Sequence, residues 1–359
     1  MRLLTLASLA LLLGGCLAAG PVKIGYDDRP RDIADGWTIG TPESQGFDPE
    51  PLRAAYRRFF SEDEYVPARS LLVVRNGVLV AEGYCRDRGD IGVKSALMSA
   101  TKSVTSLAVG IAVEQGLVSV ERPISDAIGL GHGAVAGSIR LRDLLTMRSG
   151  LEYSNDRFSL DMANDVRGDS LRYILSRPRI HEPGSRFDYK DADPHLVSGV
   201  LAAATGASLD AFTDEHLLRP LGITDWLWLR QRDGVTYGAY GLYLTPRDFA
   251  RLGQLAVQGG AWEGRQLVSR EWLVESTRPW VEDTELPGLP GLPYGYYWWS
   301  STGRAGFFAW GHGGQYLYVL PEKQLVIALT AEPDTSPDGG AIMPPAFLEL
   351  VDLIAGAAD

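Results

Sequence analysis

The sequence Met98-Ser-Ala-Thr-Lys-Ser103 places a serine three residues before a lysine, in a chain that has only five lysines. Three residues is nearly one helical turn, so the Ser99 hydroxyl and the Lys102 ammonium would project from the same face of a helix that begins here. A serine hydroxyl is a weak nucleophile at neutral pH until an adjacent base takes its proton, and a lysine with a lowered pKa is such a base. The apolar spacing of VTSLAVGIAVEQG (104–116) predicts the helix. Ser99 would then lie at its N-terminus, where free N–H groups favour a developing oxyanion.

The composition is that of a globular protein. The 359 residues are 45% hydrophobic and 22% charged, which is enough for one large domain or two closely packed domains. A net charge of −11 and a pI near 5.0 argue against nucleic-acid binding, which needs clustered lysine and arginine. The sequence has no P-loop and no His-Glu-x-x-His motif, and its histidines lack metal-ligand spacing. No cofactor and no metal site are therefore predicted.

The first residues resemble a bacterial lipoprotein signal. MRLLTLASLALLLGGC joins one arginine to an apolar run of about a dozen residues, which is too short to span a bilayer and fits a secretory signal. Leu13-Gly-Gly-Cys16 resembles the lipobox, in which cleavage precedes the cysteine and the cysteine carries the lipid. The alternative is an ordinary signal peptide with a chance cysteine. Leu17 after the cysteine implies, by the same resemblance, an outer-membrane anchor that faces the periplasm.

We therefore divide the chain into a signal peptide (1–15), a lipid-anchored tether (16–45) rich in Asp, Gly and Pro, and one domain (46–359). The anchor would bring the domain to a membrane surface. The only other cysteine, Cys85, ends a strand-like stretch and is interpreted as a packing residue, so no disulfide is expected.

Strand patterns occur at the two ends of the domain, and helical patterns lie between them. Ser70–Tyr84 predicts a hairpin, because two β-rich runs flank Asn76-Gly77, the strongest short turn signal. Strands are predicted again at 306–310, 316–320 and 325–330. Helical spacing is found at 49–60, 140–147, 169–176, 195–205, 208–218, 246–258, 270–277 and 345–355. This order favours an α+β fold, in which one antiparallel sheet is built from N- and C-terminal strands and flanked by helices, with an inserted helical region.

Two further segments carry candidate site residues. In PGSRFDYKDAD (183–193), the Pro-Gly turn would fix the Tyr189 hydroxyl at a loop edge, where a phenol beside a lysine ammonium can exchange a proton. A half-buried structural tyrosine is the alternative. In WGHGGQ (310–315), glycines next to a strand let a substrate approach the backbone, and the amide of Gln315 would be a second oxyanion donor beside that of Ser99. The alternative there is a tight turn capped by the His312 imidazole.

Five ordered segments resemble the serine β-lactamase and penicillin-recognising family, in particular its class C-like esterases and 6-aminohexanoate-oligomer hydrolases. They are SATK (99–102), IRLRDLLTMRSGLEY (139–153), PGSRFDYKDAD (183–193), YGYYWW (294–299) and GHGGQYLYVLPE (311–322). The resemblance runs from about residue 40 to the end of the chain. It implies that Ser99 is acylated, that Lys102 and Tyr189 relay its proton, and that His312-Gly313-Gly314 occupies the place of the Lys-Thr-Gly strand motif.

Two departures from the family pattern bear on the substrate. Asp191 stands where the family's second motif has asparagine, and a carboxylate near Lys102 favours the ammonium form, which leaves Tyr189 as the base. His312 replaces the strand lysine that in β-lactamases helps to hold the substrate carboxylate. Both changes favour esters or uncharged amides over penicillin-type substrates. Trp310, two residues before His312, is the candidate wall of an apolar acyl pocket.

We expect a serine hydrolase that cleaves a small ester or amide through an acyl-enzyme at Ser99. The alternatives are β-lactamase or D-Ala-D-Ala peptidase activity, and a non-catalytic envelope-binding protein on the same scaffold. Gly168-Asp-Ser-Leu171 also spells the signature of another esterase family. Because it begins a mid-chain helix, Asp169 or Ser170 is expected to cap that helix rather than to catalyse. No oligomeric state is predicted.

Overall fold

The predicted hairpin is present in the computed structural model. Strand β3 (Ala68–Arg75) pairs antiparallel with β4 (Val78–Tyr84) around Asn76 and Gly77, whose φ angles are 51° and 78°. Asparagine and glycine enter this left-handed region at low cost, which is what a two-residue hairpin turn requires. The local sequence therefore specifies the turn.

The structure describes residues 24–27, 29–86, 88–129, 134–155, 168–286, 289, 291–332 and 340–358. The predicted signal peptide and Cys16 lie outside these residues. The helices are α1 (Pro49–Ser61), α2 (Thr101–Glu114), α3 (Ser125–Ile128), α4 (Leu141–Leu145), α5 (Ser170–Leu175), α6 (Ala192–Thr205), α7 (Leu209–Thr213), α8 (Pro246–Val257), α9 (Arg270–Thr277) and α10 (Pro344–Gly356). The other strands are β1 (Ile24–Asp27), β2 (Thr38–Ile39), β5 (Ser95–Ala96), β6 (Leu227–Trp228), β7 (Leu242–Leu244), β8 (Ala261–Trp262), β9 (Arg265–Gln266), β10 (Phe307–Gly311), β11 (Gln315–Leu320) and β12 (Leu325–Ala331).

One sheet joins the two ends of the domain, as predicted. Its strand order is β1-β4-β3-β12-β11-β10, and neighbours in this order are antiparallel. The pairing of β12 with β3 joins the C-terminal strands to the N-terminal hairpin. The α+β fold is confirmed, and β10 is left at one end of the strand order.

Helices cover both faces of this sheet. On one face, Phe347 of α10 stacks on Tyr316 of β11, with 4.1 Å between ring centroids, and α1 packs beside α10. On the other face, Gly253 of α8 lies against Leu317 and Val326. Successive strand residues point to opposite faces, so the sequence of β11 supplies both layers of the core. Helix α2 contacts β10 and packs against α6 in the inserted helical region.

Every predicted helical segment contains a helix. The segment 208–218 is α7 followed by a π-helical turn, Asp214–Leu218. The predicted helix 195–205 began just after Pro194, but α6 begins three residues earlier, at Ala192. Pro194 therefore lies in the first turn of the helix, where proline is tolerated. Among the described residues, no single helix is long and apolar enough to cross a membrane, and only α6 and Leu209–Leu218 pass such a test when the two, bent by 71°, are taken together.

The predicted tether is wrong from Ile24 onward. Strand β1 pairs with β4, and the buried Arg247 of α8 holds the segment that follows. Its guanidinium donates to both carboxylate oxygens of Asp35, to both of Glu82 and to the Arg31 carbonyl oxygen, at 2.7–3.2 Å. A polar, glycine-rich segment is ordered here by charge pairing with a distant arginine, which leaves no periodic pattern in the sequence. The folded domain therefore includes residues before 46.

Candidate active site

Ser99 lies where a short turn becomes a helix. A 3₁₀ turn (Met98–Ala100) leads directly into α2, so the predicted helix N-terminus at Ser99 is confirmed. Met98 has φ of 48°, a left-handed conformation that is uncommon for a non-glycine residue and that often marks functional sites. The preceding Leu97 N–H donates to the Leu242 carbonyl oxygen at 2.9 Å, which fixes the entry to the turn.

Lys102 is buried beneath Ser99 and uses three hydrogen-bond donors. Its Nζ lies 2.8 Å from Ser99 Oγ, 2.8 Å from Asp191 Oδ1 and 3.0 Å from the Ala239 carbonyl oxygen. Burial lowers the pKa of Lys102, but the Asp191 carboxylate and the neighbouring Tyr189 outweigh burial and raise it above its ordinary value. Lys102 is therefore an ammonium at neutral pH and donates to the serine oxygen.

Tyr189 lies beside this ammonium. Its ring centroid is 4.9 Å from Lys102 Nζ, within the range of a cation–π contact. The ring is half-buried against Tyr294 and Trp299, with centroid distances of 6.3 and 5.7 Å. The structure thus brings together Ser99, Lys102 and Tyr189, which are distant in the sequence.

Asp191 occupies the N-cap position of α6. Its backbone N–H donates to Asn155 Oδ1 at 2.8 Å, and Asn155 also lines the cavity beside Ser99. Because the amide oxygen is engaged, the Asn155 NH₂ group points away from the Asp191 backbone. Sequence reasoning missed Asn155, which stands in a polar run without a motif, and Tyr240, which also lines the cavity.

Strand β10 packs directly on the Ser99 turn. A Cβ added to Gly311 would lie 2.2 Å from the Leu97 carbonyl oxygen and 3.0 Å from Ala100 N. Neither backbone atom can move aside, so only glycine fits at this position. The close approach sets the distance between the strand and the turn that carries Ser99.

β10 is the last strand in the sheet order, and its outer edge lies next to Trp299, which lines the cavity. Phe308 exchanges backbone hydrogen bonds of 2.8 and 2.9 Å with Trp299 on this edge, whereas Gly311 pairs with Gln315 of β11 on the other. The N–H and C=O groups of successive strand residues point alternately to the two edges of the strand. Trp310 therefore turns its N–H and C=O toward the same edge as Phe308.

The predicted WGHGGQ segment is only partly brought to the cavity. Trp310 and the exposed His312 line it, but Gln315, Gly313 and Gly314 do not. The buried Gln315 side chain donates to the Ala331 carbonyl oxygen at 2.6 Å and accepts from the Ala331 N–H at 3.2 Å. Gly313 and Gly314 form the turn between β10 and β11, with φ of 85° and 120°. These three residues shape the hairpin that presents Trp310 and His312.

The cavity has a volume of about 510 Å³ and combines apolar walls with a few polar groups. Its lining comprises Met98, Ser99, Asn155, Tyr189, Asp191, Tyr240, Leu286, Leu289, Trp299, Trp310 and His312. Among these described side chains there is one carboxylate, one imidazole and no lysine or arginine. Such a lining suits a largely apolar, uncharged ligand with a few directed hydrogen bonds.

The Gly-Asp-Ser-Leu segment lies elsewhere and is closed to substrate. Asp169 accepts a hydrogen bond from Arg172 N at 2.9 Å and so caps α5, as predicted. Ser170 is buried, and its Oγ lies 2.8 Å from His195 Nε2. Burial lowers the pKa of His195 to about 4, so this imidazole is neutral at neutral pH. A substrate carbonyl cannot reach this serine.

Comparison with known proteins relates the chain to a family and to several curated proteins. A family model described as Beta-lactamase matches residues 57–349. The 6-aminohexanoate-dimer hydrolase of Paenarthrobacter ureafaciens is 23% identical over 288 residues, which are 74% of this chain and 73% of that protein. Several other curated relatives are matched over only 34% to 49% of their length.

Solved structures share the fold at low sequence identity. A penicillin-binding protein homologue from Caulobacter crescentus superposes with a TM-score of 0.70 at 15% identity, covering 86% of this chain and 97% of that one. A family VIII carboxylesterase superposes with a TM-score of 0.68 at 17% identity and the same coverage of both chains. Since the family model spans well over half of the sequence, the chain belongs to the β-lactamase family of serine hydrolases.

Proposed function

We propose that the protein cleaves a small carboxylic ester or amide through an acyl-enzyme on Ser99. The observation that carries the proposal is the pair of 2.8 Å contacts from Lys102 Nζ, one to Ser99 Oγ and one to Asp191 Oδ1, at the wall of an open cavity. A serine at a helix N-terminus, in contact with a buried ammonium and beside a phenol, is an arrangement for nucleophilic catalysis.

In this scheme Tyr189 starts as a phenolate beside the Lys102 ammonium, and Ser99 Oγ attacks the substrate carbonyl carbon while its proton passes to the phenolate oxygen. Lys102 stays an ammonium throughout, because Asp191 raises its pKa, and it stabilises the negative charge on both oxygens. Tyr189 then returns the proton to the departing alcohol or amine, and water repeats the sequence to release the acid.

The carbonyl oxygen becomes an oxyanion during the attack. The backbone N–H of Ser99 supplies one donor, and we assign the second to the backbone N–H of Trp310, which points to the same outer edge of β10 as that of Phe308. This replaces the assignment of Gln315, which pairs with Gly311 inside the hairpin.

The lining points to esters, or to amides without an adjacent carboxylate. A substrate carboxylate would find the imidazole of His312 and the carboxylate of Asp191, but no lysine or arginine in the described lining. Trp299, Trp310 and Leu286 instead offer apolar surface to an acyl group or a leaving group.

Covalent labelling followed by a substrate panel tests the proposal. We expect a fluorophosphonate to label Ser99, and p-nitrophenyl acetate or butyrate to have a higher kcat/KM than nitrocefin. Nitrocefin hydrolysis that equals the best ester would favour a β-lactamase. Absence of both labelling and turnover would favour a non-catalytic binding protein.

The identities of residues 191 and 312 are expected to set the substrate preference. The double variant Asp191→Asn/His312→Lys removes one negative charge and adds one positive charge near the cavity, so the nitrocefin-to-ester ratio of kcat/KM should rise roughly tenfold, as expected for one new charge-assisted hydrogen bond. The ratio within each protein is compared because Asp191→Asn also removes the partner of Lys102, a loss common to both substrates. His312→Gln is the matched control and should leave the ratio near wild type. An unchanged ratio in the double variant would contradict this account.

We also propose that Cys16 carries a lipid that anchors the mature protein to the outer membrane. The support is the Leu-Gly-Gly-Cys sequence after an apolar run. Cys16→Ser should lose metabolic labelling by a fatty acid and accumulate as uncleaved or soluble protein. Unmodified wild-type protein cleaved after Ala18 or Ala19 would instead show an ordinary secretory signal.

A further inference from the structure

Two buried charged side chains stand next to the catalytic tyrosine in sequence but do not line the cavity. Lys190, which follows Tyr189, is 1% exposed, and Asp193, which lies two residues after Asp191, is 0% exposed. Removing a charge from water costs several kcal/mol unless well-placed partners compensate it. The partners of these two charges therefore show what they hold in place.

Lys190 joins two loops. We call residues 147–155 the serine loop, after Ser149, and residues 184–193, which end in the first turn of α6, the tyrosine loop. Lys190 Nζ donates to the Leu151 carbonyl oxygen of the serine loop at 2.6 Å and pairs with Asp188 Oδ2 of its own loop at 2.8 Å. The ammonium thus links the backbone of one loop to a carboxylate of the other.

Asp193 makes the reciprocal connection. Ser149 donates to its carboxylate from Oγ at 2.6 Å and from the backbone N–H at 3.2 Å. Burial raises the pKa of Asp193 to about 6, against the opposing effects of the Lys190 charge and the Ser149 hydrogen bonds. The carboxylate is charged at neutral pH and becomes neutral as pH falls through about 6. Among the described residues, Asp188, Tyr294 and Tyr297 also interact electrostatically with this carboxylate.

Backbone hydrogen bonds also join the serine loop to the tyrosine loop. The Asp188 N–H donates to the Met147 carbonyl oxygen at 2.9 Å, and the Gly184 N–H donates to that of Arg148 at 2.8 Å. At the cavity end, the Asp191 N–H donates to Asn155 Oδ1 at 2.8 Å. Hydrogen bonds therefore join the two loops along their length, and the buried Lys190 and Asp193 supply side-chain contacts between them.

We propose that Lys190 and Asp193 are positioning residues, which lock the tyrosine loop to the serine loop and thereby hold Tyr189 and Asp191 against Lys102. The inference rests on the proposed function, since it assigns them a part in that reaction. An ammonium and a carboxylate with directed hydrogen bonds allow one register between the loops, whereas apolar side chains would let the loops slide. Misplacing a catalytic group by about 1 Å can cost on the order of 100-fold in rate.

Asp193→Asn is the principal test, because it keeps the shape of the side chain and removes its charge. We expect kcat for the best ester to fall by roughly 10- to 100-fold with little change in KM, since the cavity lining is untouched. The rate of Ser99 labelling should show a second signature. In the wild type it should fall as pH drops through about 6, where Asp193 becomes neutral, and this inflection should be absent from the variant. Lys190→Met should lower kcat similarly, and Lys190→Arg, which keeps the charge and donors, should restore part of it.

Controls separate positioning from general stability. Asp48→Ala removes the N-cap of α1, a helix that packs beside α10 on the sheet face away from α2 and α8, and should lower the Tm without changing kcat. If Asp193→Asn does not fold, Ser149→Ala removes only one of its hydrogen bonds and gives the same readouts. Wild-type kcat and an unchanged pH inflection in Asp193→Asn would overturn the proposal, as would kcat losses no larger than those of Asp48→Ala at equal Tm. A wild-type protein whose Ser99 is never labelled would instead overturn the proposed function.

Discussion

Ser99→Ala should abolish covalent labelling and lower ester turnover by roughly 10⁴-fold or more, the loss typical of removing a nucleophile whose partners act as a unit. Ser99 combines the start of α2, the buried Lys102 ammonium at 2.8 Å and an open cavity. The measurement is fluorophosphonate labelling read by peptide mass spectrometry, with kcat/KM for the best ester. The Tm should stay near that of the wild type, because an alanine fits in place of a small side chain.

Two serines act as references for this experiment. Ser154 is exposed and precedes Asn155, which lines the cavity. Ser154→Ala therefore removes a different hydroxyl near the site, and this variant should keep full labelling. Ser170 is buried against His195, and no label should map to it. Labelling of Ser99→Ala at wild-type rate, or at Ser170, would disprove the assignment of the nucleophile.

The parts of the fold that were predicted correctly depend on local sequence. Asn76 and Gly77 adopt the left-handed angles that the turn needs, and apolar periodicity marks the helices whatever they pack against. The segment before residue 46 was interpreted as a tether because its contacts are with distant residues: β1 pairs with β4, and Asp35 and the Arg31 carbonyl oxygen bind Arg247, more than 200 residues later in the chain. The composition of such a segment shows that it is polar, but it does not predict that a distant guanidinium pairs with it.

The same division applies to the site. Ser99 and Lys102 were found because both lie on one helical turn, and Tyr189 because a Pro-Gly turn precedes it. Asn155 and Tyr240 were missed because they reach the cavity only through the packing of separate loops. Gln315 was predicted to be an oxyanion donor because it follows the glycines. In the structure its backbone pairs with Gly311 and its side chain binds Ala331, so neither group lies at the cavity.

Lys102 and Tyr189 are expected to act as one unit, so that the effects of removing them do not add. Lys102→Ala, Tyr189→Phe and the double variant should each lose roughly 10²–10⁴-fold in kcat/KM, the range of acid–base groups. The physical reason is that one group is of little use without the other: Tyr189 exchanges the proton, and the ammonium 4.9 Å from its ring centroid stabilises the negative oxygens. A second removal then takes away little that remains.

The lysine variant needs a control of its own, because Lys102→Ala leaves the Asp191 carboxylate without its 2.8 Å ammonium partner. An uncompensated charge in this half-buried position would destabilise the fold as well as the reaction. Lys102→Met/Asp191→Asn removes both charges, so it should recover stability relative to Lys102→Ala in thermal unfolding while remaining inactive. Recovery of activity in that variant would mean that Lys102 serves the fold and not the chemistry. A double-variant loss for Lys102→Ala/Tyr189→Phe equal to the product of the single losses would show that the two groups act independently, and the relay through Tyr189 would then be wrong.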